Sequence, residues 1–163
     1  MHSKPLNKAL FGPPAKQSLA GFLFFGPRNL GGKEMKIDFQ KSGGLVPAII
    51  QDERSGDVLM LGFMNENSLN ETQRSGEVVF FSRSRNKRWK KGESSGHVLR
   101  VREIRVDCDA DALLVRVEAV GPGVCHEGYR SCFFRAVESD GGVKMIAERT
   151  FSPEAVYGSE KSR

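Results

Sequence analysis

Leu113, Val115, Val117 and Ala119 alternate with Leu114, Arg116 and Glu118. A period of two marks a strand with one buried face. Directly before it stand Asp107-Cys108-Asp109-Ala110-Asp111, and before those a second strand-like run, Val98–Val106. The chain therefore has to turn between two strands at a point where three carboxylates and a thiol share five residues. Carboxylates this close repel one another unless a cation neutralises them. Alternate side chains at 107, 109 and 111 project together, so Asp107, Asp109 and Asp111 suit a hard cation such as Mg²⁺. The plainer alternative is a solvated acidic turn, since Asp is common in turns. A calcium loop is a poor match, because its Gly and distal Glu are missing.

The period of two holds for most of the chain from Leu45 onward. Leu45–Gln51 and Val58–Phe63 read as strands around the turn 52–57. Asn65 caps a short helix through Arg74 that Gly76 ends, with Leu69, Met64 and Gln73 as a thin apolar face. Glu77–Ser82 reads as a strand and Arg83–Gly96 as a long polar loop. Ala112–Val120 completes the pair around the acidic turn, and Gly121-Pro122-Gly123 turns the chain again. Cys132–Val137 and Val143–Glu148 form a hairpin around residues 139–142. The expected fold is a strand-rich α+β domain of about seven short strands and one or two helices.

Residues 1–35 differ: they are rich in Gly and Pro, with one apolar patch, Leu19–Phe25. That patch is too short for a secretory peptide. The segment reads as a flexible N-terminal extension, with Met35 an alternative start; 36–150 reads as the folded domain and 151–163 as a C-terminal tail. The net charge of +5 looks like a nucleic-acid signal, but residues 1–35 hold five basic residues and one acid, leaving +1 for the rest. No apolar run reaches membrane-spanning length. Three cysteines are an odd number without a secretion signal, which argues for free thiols in a reducing cytoplasm.

Those thiols, Cys108, Cys125 and Cys132, are spaced by 17 and 7 residues. Thiolates suit Zn²⁺, and three of them leave a position for water, the arrangement of a catalytic site. For Cys132, beside Phe133 and Phe134, the bland reading is a small buried hydrophobe. His126 adjoins Cys125, and His97 follows the polar loop; each is a candidate proton shuttle, ligand or structural residue. His2 lies in the extension and is set aside. The loop carries six basic residues in the nine positions from Arg83 to Lys91, then Gly92, Glu93, Ser94, Ser95 and Gly96. Arg83, Arg85 and Lys91 suit phosphate, Trp89 suits a base, and Glu93, Ser94 and Ser95 are further candidate contacts.

Five stretches, in order, resemble the phosphoribosyl-AMP cyclohydrolase family of histidine biosynthesis. They are Gly62-Phe63-Met64-Asn65, Phe81-Ser82-Arg83-Ser84-Arg85, Trp89-x-Lys91-Gly92-Glu93-Ser94-Ser95-Gly96, Asp107 to Leu114, and Cys125-His126-Glu127-Gly128 followed by Ser131-Cys132-Phe133. The resemblance implies a strand-rich pseudo-barrel capped by a helix, and an obligate homodimer. It implies Mg²⁺ on Asp107, Asp109 and Asp111. It implies Zn²⁺ shared across the dimer, held by Cys108 of one subunit and Cys125 and Cys132 of the other. Its substrate is phosphoribosyl-AMP, whose adenine ring is opened at N1–C6, with His126 the first choice for general base and His97 the second. The expected chain is monofunctional, without the pyrophosphohydrolase domain fused to many relatives. Ala110 stands where the family commonly has Gly, and Glu127 and Tyr129 where Thr and Arg are frequent.

Two rival classes stand beside this enzyme. A nucleic-acid-binding protein with a structural zinc would use Arg83–Lys91 as its contact, but the near-neutral core and the acid cluster oppose it, and no nucleic-acid partner is expected. A closed, four-ligand structural or storage zinc domain needs one ligand more than the cysteines supply. A zinc hydrolase of another purine nucleotide is the nearest enzymatic alternative.

Overall fold

The computed structural model describes residues 36–158, all within one compact unit, Met35–Arg163. The extension 1–35, with His2 and the Leu19–Phe25 patch, and residues 159–163 lie outside the described residues. Eight strands and two short helices are present among those described: β1 Val46–Asp52, β2 Val58–Met64, α1 Glu66–Ser75, β3 Val79–Ser82, β4 Lys87–Lys90, β5 Leu99–Val106, β6 Leu113–Ala119, β7 Arg135–Val137, β8 Val143–Met145 and α2 Pro153–Tyr157. The class is α+β and strand-rich, as the alternation requires.

One four-stranded sheet has the order β2-β1-β6-β5. β1 pairs antiparallel with β2 but parallel with β6, and β5 and β6 are antiparallel neighbours flanking the acidic turn. β3 with β4, and β7 with β8, are separate two-stranded ribbons, so no sheet closes into a barrel among the described residues. The inward face of β1 and β6 supplies Val46, Ala48, Ile50, Leu113, Val115 and Val117, all buried. Leu59, Met64, Leu69, Val78, Phe80 and Leu99 close over them. Phe80 of β3 packs against β2 where Gly62 leaves room: a Cβ there would stand 2.4 Å from the ring.

The β4 strand replaces part of the polar loop expected over Arg83–Gly96. Its residues alternate too weakly in polarity to announce a strand, yet each pairs in register with β3, Trp89 opposite Phe80. The helix cap is as expected: Asn65 Oδ1 accepts from the Ser68 N–H at 2.9 Å, and Ser68 Oγ accepts from the Asn65 N–H at 2.9 Å. Its inner face differs. Gln73 is exposed, and Thr72 is fully buried instead. Thr72 Oγ1 donates to the Ser68 carbonyl at 2.8 Å and accepts from the Val79 N–H at 3.0 Å, which fastens α1 to β3. A polar residue is tolerated there because both hydrogen-bonding functions are used.

Candidate active site

The acidic turn is shaped by its own backbone. Asp107 Oδ1 accepts from the N–H groups of Asp111 and Ala112, at 3.0 and 3.1 Å. Ala110 takes φ of +62°, a left-handed conformation that a side chain disfavours and glycine does not. The turn gathers Asp107, Asp109 and Asp111 so that one donor oxygen from each lies within 4.8 Å of the others. Among the described residues it is the one group of three or more potential ligands brought so close, and the three thiols do not form another. The oxygen set fits a hard divalent cation. Cys108 is exposed, its Sγ 3.9 Å from Asp109 Oδ1.

Cys125 and Cys132 face each other across the loop from Val124 to Phe134. The loop is closed by backbone bonds from Val124 N to Arg130 O and from Cys125 N to Tyr129 O, both 3.1 Å. It is tied to β2 by Cys132 N to Leu59 O at 2.8 Å and by Ser131 Oγ to Val58 O at 2.8 Å. Tyr129 and Phe134 stack within it at 3.7 Å between centroids. Pairing with Cys132 brings the Cys125 thiol down to about 6 against the opposing effect of burial, helped by the Glu127 N–H. The same pairing pushes the Cys132 thiol well above the usual thiol range, although the residue keeps an exposed edge. Thiols set against each other in this way suit a soft metal.

Lys91 is 6% exposed, and its side chain has no ion-pair partner among the described residues. Burial lowers its pKa, and the charges of Cys132 and Cys125 act in the opposite direction. Its neighbourhood is therefore the thiol pair, although the spacing placed it on an open basic loop. The rest of that loop is partly neutralised. Arg88 pairs with Glu71 at 2.8 Å and Lys90 with Glu77, while the Arg83 guanidinium lies 3.7 Å over the Phe63 ring. Arg85, Glu93 and Ser94 are exposed, Glu93 lying 3.8 Å from Arg88. Ser95 Oγ accepts from the His97 N–H at 3.2 Å. Trp89 packs on Phe80 at 5.0 Å between ring centroids.

The two histidines occupy different settings. His126 is exposed beside Cys125. His97 is buried, edge-on to Phe151 at 4.8 Å, and its Nδ1 has no hydrogen-bond partner among the described residues. Gly121 and Gly92 press on it so closely that a Cβ on either would stand 2.7 Å or less from its ring or backbone. Phe151 belongs to a segment tied back to the cysteine loop, with Thr150 N donating to Gly128 O at 2.7 Å. The residues missed by sequence reading are of this supporting kind. Asp52 is 6% exposed; burial would raise its pKa, but the N–H groups of Ser55 and Arg54 and the Arg130 guanidinium outweigh burial and hold it low. Only the turn-forming Asp52-Glu53-Arg54-Ser55-Gly56 string hinted at it.

The phosphoribosyl-AMP cyclohydrolase family profile matches residues 60–134. A phosphoribosyl-AMP cyclohydrolase of Solibacter usitatus is 58% identical over 126 residues, covering 77% of this chain and 99% of that protein. Proteins of the same name from Desulforapulum autotrophicum and Desulfatibacillum aliphaticivorans are 51% and 49% identical, each over 76% of this chain and 98% of theirs.

Proposed function

The chain belongs to the phosphoribosyl-AMP cyclohydrolase family, and from that premise we propose how its residues carry the family's reaction. It is a hydrolase of histidine biosynthesis that acts on a cyclic amidine C–N bond. The reaction adds water to the adenine ring of phosphoribosyl-AMP. The water oxygen bonds to C6 and the C6–N1 bond breaks. One water proton goes to the exocyclic nitrogen and the other to N1, leaving a carboxamide and a formimino group.

Cys125 and Cys132 hold zinc together with Cys108 of a second copy, in a homodimer. The observation that supports this reading is the split of the thiols: Cys125 and Cys132 are paired on one loop, and Cys108 stands apart from them on the acidic turn, exposed as Cys132 is. When bound, zinc supplies an activated water. Asp107, Asp109 and Asp111 hold Mg²⁺, the donor oxygens already being gathered. His126, exposed beside Cys125, takes and returns protons at the reacting water. His97 is the second candidate; its clamped ring favours positioning. Arg83, Arg85 and Lys91 meet substrate charge, Trp89 the purine, and Glu93, Ser94 and Ser95 the remaining polar groups. Residues 36–150 form the catalytic domain, with 1–35 an extension and 151–163 a tail. The four-stranded sheet and the β3–β4 ribbon pack as a pseudo-barrel capped by α1. No described helix is long and apolar enough to cross a membrane; free thiols at a metal site suit the reducing cytoplasm.

Subunit mixing tests the composite site. Cys108→Ala and Cys125→Ala proteins each lack zinc and turnover, whereas mixing them restores about a quarter of the wild-type rate, because half of the dimers are hybrids with one intact site of two. If the mixture stays inactive, the thiols are not shared. Full activity and normal zinc in either single variant would remove the zinc assignment itself.

A further inference from the structure

The acidic turn already holds a cation of its own. Lys41 Nζ lies 2.6 Å from Asp109 Oδ2, 3.2 Å from Asp111 Oδ2 and 3.3 Å from the Asp109 carbonyl. We infer that Lys41 is a built-in counter-cation of the Asp107–Asp109–Asp111 cluster, which a divalent metal has to expel in order to bind. This rests on the reading of that cluster as a divalent-cation site.

The ammonium is delivered to the cluster by ordered backbone. Lys41 sits in a 3-10 turn, Gln40–Ser42. Asp38 Oδ1 accepts from the N–H groups of Gln40 and Lys41, at 3.0 and 3.2 Å. Asp38 N donates to the Ala110 carbonyl of the acidic turn itself at 2.7 Å, and Phe39 packs on the core. The segment is therefore docked on the turn at the position from which a four-carbon stem reaches two of the three carboxylates.

Binding of both cations to the same carboxylate oxygens is opposed by their mutual repulsion. Mg²⁺ sits about 2.0–2.1 Å from its carboxylate oxygens. An ammonium still within hydrogen-bonding distance of the same Asp109 and Asp111 oxygens would face it as an adjacent like charge. The side chain has somewhere to go, being 41% exposed on a flexible stem. With no metal, Lys41 offsets part of the mutual repulsion of three aspartates; with metal, it is released to solvent. Both the competition and the repulsion act in the same sense, so removing the charge should tighten metal binding.

The test is Mn²⁺ and Mg²⁺ affinity of the zinc-loaded full chain, by electron paramagnetic resonance and calorimetry, for wild type, Lys41→Met, Lys41→Arg and Asp109→Asn. Lys41→Met should bind about three- to tenfold more tightly, the range expected for losing one or two exposed ion pairs. Lys41→Arg, which keeps the charge, should stay near wild type, and Asp109→Asn should weaken binding. Unchanged or weaker binding by Lys41→Met, with Asp109→Asn still weakening it, would overturn the role of Lys41 while leaving the metal site standing. If wild type binds neither ion and Asp109→Asn changes nothing, the metal reading of the cluster falls, and this inference with it.

Discussion

Arg130 Nη2 donates to Asp52 Oδ2 at 2.9 Å, and this bond joins the cysteine loop to the turn between β1 and β2. Asp52 is nearly enclosed, with Oδ1 accepting from the N–H groups of Arg54 and Ser55 at 2.9 and 3.0 Å. Arg130 shares its loop with both thiols, so the ion pair helps set where Cys132 stands relative to Cys125.

Arg130→Met should therefore cost about 1–2 kcal/mol of stability at neutral pH, a value reduced because the guanidinium is half exposed. The Asp52 pKa is lowered by folding, so its contribution is present above the ordinary carboxylate range and lost as pH falls through the folded value. Urea unfolding of both proteins should show a gap at neutral pH that shrinks below about pH 4. An equal gap at both pH values would mean that the loss lies in packing instead.

Gly62→Ala should destabilise by about 1–3 kcal/mol, the range for overpacking a filled core. The added Cβ meets the Phe80 ring at 2.4 Å, and the ring is wedged between β2 and Trp89. Thermal melts read the loss, and Phe80→Leu combined with Gly62→Ala should recover part of it. A double variant no better than the sum of the two single ones would show that the clash is not with Phe80.

The histidines should separate by phenotype. His126→Ala should keep zinc and melting temperature while losing about 10²–10⁴-fold in kcat, as expected for a general base. His97→Ala should lower the melting temperature, because it empties the space between Gly121 and Phe151. An unchanged rate in His126→Ala would make that residue structural.

Lys91→Met should melt no lower than wild type, since a buried ammonium with no carboxylate partner among the described residues is costly and methionine has similar volume. Its kcat/KM should fall by at least about 10²-fold if the charge serves the site. Lower stability with intact turnover would give Lys91 a purely structural role.

The legible part of the fold is the part carried by side-chain alternation. β6 announced itself through Leu113, Val115 and Val117, all of which are buried, and Asn65 and Gly76 bracketed α1 through cap chemistry. β4 was missed because Lys87-Arg88-Trp89-Lys90 looks like a solvated basic run; its stability comes from pairing with β3, which no local pattern reports. Thr72 was missed because its burial depends on a hydrogen bond to Val79, seven residues away. The parallel pairing of β1 with β6 joins segments some 65 residues apart and has no local signature. At the site, the ligand types were visible as spacing. Their setting was not: Lys91 is buried near the thiols, Asp52 holds the loop through Arg130, and Lys41 neutralises an acidic turn far along the chain.

Ring opening of phosphoribosyl-AMP, followed by absorbance with purified full-length protein before chelation, after it, and after zinc is restored, tests the central claim most directly. The account predicts turnover that disappears with zinc and returns with it. Protein that is folded, zinc-loaded and supplied with Mg²⁺ yet leaves the substrate intact would contradict it.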